Sequence, residues 1–247
     1  MMYISVVSHN HANIITELNS LGELSKRYSV IITDNTGETK LEEYCMDNGI
    51  HYLKNFSRKG FGENNNQNYY YAKGVLNMKD EDYFLVLNPD VLIDIEKLQI
   101  ALSITQKNNS IASTINLIKR EGEFDCNIRK YPTFIDFIES YLFKNNRTIV
   151  DKSKLKMDQY VDWASGSFLL IKSGIYNSIG GFDENYFMYC EDLDICKRIS
   201  STTGEKILYI HTVNAVHYAA HNNRRLLSKH FFWHARSVFR YCFISKY

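Results

Sequence analysis

Residues 83–90 read YFLVLNPD, and this stretch decides the fold. Tyr83 to Leu87 are apolar without alternation, the pattern of a strand buried on both faces. Asn88-Pro89-Asp90 then stops the strand, because proline has no N–H to give a ladder. Working outward toward the N-terminus, YISVVS (3–8), SVIITD (29–34) and IHYLK (50–54) are strands of the same kind. Between them lie helical spacings over 11–26 and 38–48, then a Gly/Asn loop over 57–65 and a helix to about Asn77. Residues 95–107 are helical again. Strands alternating with helices predict an α/β fold with a mostly parallel sheet covered on both faces. In such sheets ligands bind beyond the carboxyl ends of the strands. That edge gathers Ser8-His9-Asn10, Asp34-Asn35, the 57–66 loop and Asn88-Pro89-Asp90.

The second half is less regular. It contains VDWASGSFLLIK (161–172), a helix from about Glu191 to Ser201, strands at 206–210 and 214–218, and a long helix from about Arg224 to Ile244. No boundary divides the chain in two. The reading is one domain over 1–223, in two halves (1–90 and 91–223), followed by a basic amphipathic helix, 224–247.

At 247 residues, 45% apolar and 23% charged, the chain has the composition of a globular domain with a real core. Aromatic residues reach 14% while only 2 are proline, which suits aromatic cores and sugar- or membrane-facing surfaces equally. The net charge of +1 hides an asymmetry: after Glu205 there is no acid, but there are Lys206, Arg224, Arg225, Lys229, Arg236, Arg240 and Lys246. Such an end suits anionic membranes or phosphates, with nucleic acid as the rival. Cys45, Cys126, Cys190, Cys196 and Cys242 form no CxxC pair, so reduced thiols in the cytosol are expected, with Cys190 and Cys196 as packing residues. The opening MMYISVVSHN has no basic region or cleavage site, and no apolar run approaches the ~20 residues of a bilayer span.

Several stretches carry chemistry. Asp90, at the mouth of its strand, can hold Mg²⁺ or Mn²⁺ if phosphate oxygens supply further ligands; it can equally cap the following helix. In SRKGFGENNNQN (57–68), Gly60 and Gly62 permit positive φ and close approach to a ligand, with Arg58 and Lys59 for charge. The alternative is a loop ending in a helix cap. Asp34 can accept from a nucleobase N–H or a ribose hydroxyl, or serve the turn. In GFDENYFMYCEDLDICKR (181–198), a helix starting near Glu191 puts Glu191 and Asp192 in its first turn, where the helix dipole favours their ionised state. An ionised carboxylate there can act as general base toward a sugar hydroxyl. Asp194 and Arg198, four apart, suit an exposed pair, and Asp183 belongs to the Gly180-Gly181 turn. His217 and His221, in NAVHYAAHNNRR, are metal ligands or packed histidines.

VVSHN, DN, GFGENNN, LNPDV, WASGSFLLIK, GGFDENYFMYCEDLDICKRI and VHYAAH, in this order, resemble glycosyltransferase family 2, which has the GT-A fold. The resemblance spans about residues 3–245 and is stronger still to its bacterial rhamnosyltransferases of O-antigen synthesis, through GFDxxYFMYCEDxDxCxR, VDWxxGSF and HYAxHxNR. It implies an inverting transfer of L-rhamnose from dTDP-β-L-rhamnose to GlcNAc-pyrophosphoryl-polyprenol at the cytoplasmic face of the membrane, without nucleic acid. It implies that Asp34 contacts the base, and that Ser8, His9, Asn10, Asn35, Arg58 and the Gly60–Asn66 loop, including Phe61, Gly62, Asn65 and Asn66, line the nucleotide pocket. Asn88 and Asp90 stand for the family's DxD, with Asp90 and His217 as ligands of Mg²⁺ or Mn²⁺. Asp192 is the implied base beside Glu191, which also meets the acceptor with Trp163, Gly166 and Ser167; Trp163 would be the stacking platform. Two departures exist: Asn88 replaces the first acid of DxD, and Asn66-Gln67-Asn68 replaces the loop's usual N-x-G. The rivals are another donor on the same fold, such as UDP-galactofuranose or UDP-GlcNAc, and a silent nucleotide-sugar-binding protein. For the last helix, membrane contact and packing on the domain are both open.

Overall fold

The computed structural model of the protein describes residues 1–143, 146–218, 229–245 and 247. Its first half runs β1 (Met2–Ser8), α1 (Ala12–Leu18), α2 (Ser20–Ser25), β2 (Ser29–Asp34), α3 (Thr39–Asp47), β3 (His51–Lys54), α4 (Phe61–Gly74) and β4 (Tyr83–Leu87). There follow β5 (Val91–Leu92), α5 (Ile95–Lys107), β6 (Ala112–Lys119), β7 (Ile128–Arg129) and α6 (Phe134–Leu142). The rest is β8 (Gln159–Val161), β9 (Trp163–Ala164), β10 (Phe168–Lys172), α7 (Ser173–Ser178), α8 (Glu191–Thr203), β11 (Ile207–His217) and α9 (Lys229–Phe239), which ends in a π-helical turn, Arg240–Ile244.

Among the described residues the main sheet has the order β3-β2-β1-β4-β10-β6-β11-β5, with β8 also on β11. The β1, β2, β3 and β4 pairings are parallel, as is β6 with β11. The exception that matters is β10, antiparallel to both β4 and β6. Its start, at Phe168, therefore lies opposite Leu87, the end of β4. Period-two alternation feeds both faces of this sheet. Ile4, Val6, Leu85 and Leu87 pack with Ile15, Leu24 and Leu98 on one face. Tyr3, Phe84, Val86 and Leu169 pack with Tyr69, Tyr176 and Phe182 on the other.

The structure alters several boundaries. The helix expected over 11–26 is two helices, broken at Asn19, which is left-handed at φ 49° and caps the first. The strands expected at 206–210 and 214–218 are one strand, β11, with a register shift between Ile210 and Asn214. Expected loop residues Phe61–Asn65 already lie in α4. Neither Gly60 nor Gly62 takes a positive φ. They are needed for contact: a Cβ at Gly60 would lie 2.7 Å from the Phe187 carbonyl oxygen, and one at Gly62 the same distance from Phe182 Cβ. His221, Arg224, Arg225 and Leu227 lie outside the described residues.

α4 is fastened by buried amides. Asn68 donates to Ser5 Oγ at 2.8 Å and to the Val6 carbonyl at 3.2 Å, and accepts from Thr33 Oγ1. Each buried polar group left without a partner costs ~1–3 kcal/mol. Asn68→Ala orphans groups on β1 and β2 together, so it should lower stability by about 3 kcal/mol in urea unfolding, with the denaturant slope unchanged. A loss under about 1 kcal/mol would mean water replaces the amide.

Candidate active site

Four chain segments meet where β4 ends and β10 begins. The Asn88 amide N–H donates to the Ser167 carbonyl at 3.0 Å, and Asn88 Nδ2 donates to Ser167 Oγ at 3.3 Å. Asn88 Nδ2 also lies 3.5 Å from His217 Nε2, at the end of β11. His217 Nε2 is 3.3 Å from Asp90 Oδ1, and its Nδ1 is 2.6 Å from Asp125 Oδ2. Burial opposes a charge on His217, but the hydrogen bond to Asp125 and the close carboxylates of Asp90 and Asp125 outweigh it and raise the ring to about 9. Asp125 feels burial too, yet the His217 hydrogen bond and the charges of His217 and Lys152 hold it below the usual carboxylate range. Lys152 lies buried behind it, bonded to Asn116 Oδ1, the Leu117 carbonyl and Asn127 Oδ1.

These residues fit a divalent cation. Asp90 Oδ1 is buried and has no hydrogen-bond partner among the described residues, because its approach to His217 is not aligned for one. Asp125 holds the far nitrogen of the ring, as a carboxylate behind a ligating histidine does. Without a cation the pair is an ion pair with the proton on the ring; metal binding would displace that proton. Among the described residues no group of three or more His, Cys, Asp or Glu side chains could hold a metal ion. A cation here would therefore need substrate oxygens, which is how Mg²⁺ and Mn²⁺ are commonly held.

The acidic end lies just across β10. The Gly166 N–H donates to Asp192 Oδ2 at 3.3 Å, and the Leu193 N–H donates to Asp192 Oδ1 at 2.8 Å. Gly166 and Ser167 thus connect Asp192 to Asn88. α8 starts after two consecutive left-handed residues, Tyr189 (φ 72°) and Cys190 (φ 63°). Such non-glycine outliers cost ~1–3 kcal/mol each and cluster at functional sites. Their reversal puts Glu191, Asp192 and Asp194 in the first turn. Burial, then the Asp192 charge, pushes Glu191 up to about 8, and one of its oxygens is buried with no partner among the described residues. The expectation that both acids ionise is thereby corrected for Glu191, where desolvation overrides the helix dipole. Burial raises Asp192 as well, but the Leu193 and Gly166 N–H groups and the charge of Arg129 counteract it. Both carboxyls are thus pushed toward their protonated forms, the buried Glu191 further than the half-buried Asp192, whose charge its two N–H donors and Arg129 favour.

At the strand ends of the first half, Ser8 is buried, His9 half-buried and Asn10 exposed in a left-handed turn. Burial and then the Arg58 charge hold His9 below its usual value, and its Nδ1 has no partner among the described residues. Arg58 is exposed, 5.7 Å from the Phe187 ring centroid and 5.3 Å from that of Trp233 on α9. Phe61 is half-buried, and a Cβ at Gly166 would lie 2.8 Å from its ring. It stands between this region and Asp192.

Other expected residues are structural. Asp34 is fully buried, and both its oxygens are occupied by Thr36 N and Oγ1, Glu38 N and Tyr52 OH. That is the turn role that the sequence left open for it. Asn35 pins the loop by pairing with both backbone groups of Lys59. Asn65 faces inward to Ser5 Oγ and the Phe61 carbonyl. Asn66 clamps Phe182 N and O, Tyr176 OH and Glu184. Neither lines an open pocket, because α4 starts early and turns them to the core. Trp163 is only 9% exposed, with Arg129 5.6 Å from its ring centroid and its Nε1 bonded to the Lys130 carbonyl. It is a wall and not an open platform. Asp194 is also buried, paired with Arg198 at 2.7 Å.

Sequence reasoning missed Asp125, Lys152, Arg129 and Glu38, whose Oε2 accepts from Ala12 N at 3.2 Å beneath Ser8. None sits in a motif, and only the fold brings them to the edge.

No protein-family model matches the chain. Rhamnosyltransferase WbbL of Escherichia coli (strain K12) is 37% identical over 245 residues, covering 98% of this chain and 92% of the relative. N-acetylglucosaminyl-diphospho-decaprenol L-rhamnosyltransferase of Mycobacterium tuberculosis is 37% identical over 79 residues, 32% of this chain and 25% of that one. Among solved structures, GalNAc-T7 with UDP, GalNAc and Mn²⁺ superposes with a TM-score of 0.65 at 13% identity, over 89% of this chain and 44% of that one. With near full-length likeness to one rhamnosyltransferase and the GT-A architecture around its sheet edge, the chain belongs to glycosyltransferase family 2 and is an enzyme of its rhamnosyltransferase branch.

Proposed function

We propose that the protein transfers L-rhamnose from dTDP-β-L-rhamnose to a GlcNAc-pyrophosphoryl-polyprenol acceptor, with inversion, at the cytoplasmic face of the membrane. The observation that carries this reading is the join across Gly166-Ser167: Gly166 N–H reaches Asp192 and Ser167 reaches Asn88, beside Asp90 and His217. A base and an anion-holding centre thus share one sheet edge. The kinship with WbbL and with the mycobacterial enzyme supports the sugar and the lipid-linked acceptor.

Asp90 and His217 would hold Mg²⁺ or Mn²⁺, which when bound offsets charge on the departing diphosphate. His9 and Arg58 flank the nucleotide. Asp192 takes the proton of the acceptor hydroxyl as that oxygen attacks the anomeric carbon from the opposite face. Protonated Glu191 spares Asp192 a second neighbouring charge. A single displacement turns a β-L donor into an α-linked product, with no carboxylate nucleophile of the kind a retaining glycosidase uses.

Incubation with dTDP-L-rhamnose and a synthetic GlcNAc-pyrophosphoryl lipid should add one deoxyhexose by mass spectrometry, in the α configuration by NMR, and EDTA should abolish it. Folded enzyme that transfers nothing, but uses UDP-galactofuranose or UDP-GlcNAc, would overturn the donor assignment. Asp125→Ala should weaken Mn²⁺ binding in the presence of dTDP by about 10–100-fold, read by calorimetry. Unchanged affinity would remove His217 from the ligand set.

A further inference from the structure

One helix of the second half has an apolar face that no other described residue covers. On α6, Phe137 points inward, its ring 6.1 Å from that of Tyr241. Phe134, Ile135, Ile138 and Leu142 lie on the outer side, 44%, 64%, 40% and 65% exposed. Their spacing of i, i+1, i+4 and i+8 makes one stripe. The C-terminal helix extends it. Phe134 meets Phe243 at 5.1 Å between ring centroids, and Phe243 meets Phe239 at 5.3 Å. Phe232, Arg236 and Phe239 form the exposed side of α9. Its other side packs on the domain: Val238 and Tyr241 are buried, Ser237 Oγ donates to the Met188 carbonyl, and Arg240 pairs with Asp183. The last helix is thus docked and still shows an apolar outer face.

No helix among the described residues is long and apolar enough to cross a membrane. A contiguous exposed apolar ridge of this kind marks an interaction surface. We propose that the outer faces of α6 and of α9 with its π-helical turn form a single surface that lies in the headgroup region of an anionic bilayer. The inference rests on the lipid-linked acceptor of the preceding reading.

Charge selects the bilayer. Of the acids of α6, Glu139 pairs with Arg147, and Asp136 is held at the first turn in a capping box with Thr133. Arg236 lies on the exposed side of α9 between Phe232 and Phe239, Lys130 is exposed four residues before α6, and no acid follows Glu205. A second copy would bring the same cations face to face in a two-fold contact, whereas anionic headgroups attract them. Position agrees. Phe134 is five positions along the chain from Arg129, whose charge reaches Asp192, so the two are at most roughly 18 Å apart. Interfacial helices sink about 5–10 Å into the headgroup boundary. A pyrophosphate at that boundary is within reach of the base.

The test is co-sedimentation with phosphatidylethanolamine–phosphatidylglycerol vesicles of the wild type, I135D/L142D and the milder I135S/L142S. Both positions are about two-thirds exposed, so the fold should survive; circular dichroism checks it. Vesicle binding should fall at least tenfold in the first pair and partly in the second. Transfer to a short-chain, water-soluble acceptor should be unchanged, while transfer to the polyprenyl acceptor in vesicles falls. Folded variants that bind vesicles like the wild type would overturn the proposal. So would a wild-type dimer, seen by light scattering, that the variants dissolve without loss of vesicle binding. If binding depends on the ridge but no acceptor is glycosylated, the surface stands and the rhamnosyl reading falls.

Discussion

The antiparallel course of β10 is the constraint on which the site depends. In an all-parallel sheet every strand would deliver only its last residues to the functional edge. Because β10 runs the other way between β4 and β6, its leading residues, Gly166 and Ser167, arrive at that edge as well. They are small and expose backbone. One N–H meets Asp192 and one hydroxyl meets Asn88, so the first turn of α8 is held beside the end of β4 by two short links. A side chain at Gly166 would collide with Phe61 and separate them.

The site stores its polarity at some expense. Two left-handed residues precede α8, two acids are buried in its first turn, and a buried lysine stands behind Asp125. Each would destabilise an isolated element. They persist because the flanking packing is dense: Gly60, Gly62 and Gly181 allow α4 to press on residues 181–187. The buried amides of Asn66 and Asn68 then fix α4 to that segment and to the sheet. Unequal burial separates the roles of neighbouring acids. Glu191 has an oxygen with no partner among the described residues, while Asp192 has two N–H donors and Arg129 nearby, which favour its charged form over that of Glu191.

Much of the fold was legible in the sequence. Unbroken apolar runs marked β1, β2 and β4, and helical periods marked α3 and α5, because those elements bury whole faces close to their own sequence neighbours. Asp90, His217 and Asp192 were legible as candidates because they end strands or open a helix. Asp125, Lys152 and Arg129 were not, since their partners lie far along the chain and nothing local requires them. Asp34, Asn65, Asn66 and Trp163 show the opposite relation. They are polar or aromatic residues in the right motif, but their bonding is spent inside the protein.

The central claim is a division of labour along one edge, with Asp90 and His217 holding the donor's diphosphate and Asp192 activating the acceptor. The direct measurement is dTDP binding with Mn²⁺ by calorimetry, alongside turnover, for Asp90→Asn and Asp192→Asn. The account predicts that Asp90→Asn loses dTDP affinity. It predicts that Asp192→Asn binds dTDP like the wild type and turns over at least ~100-fold more slowly, the lower end of a general base's contribution. Loss of dTDP binding in folded Asp192→Asn, or turnover near wild type, would contradict it.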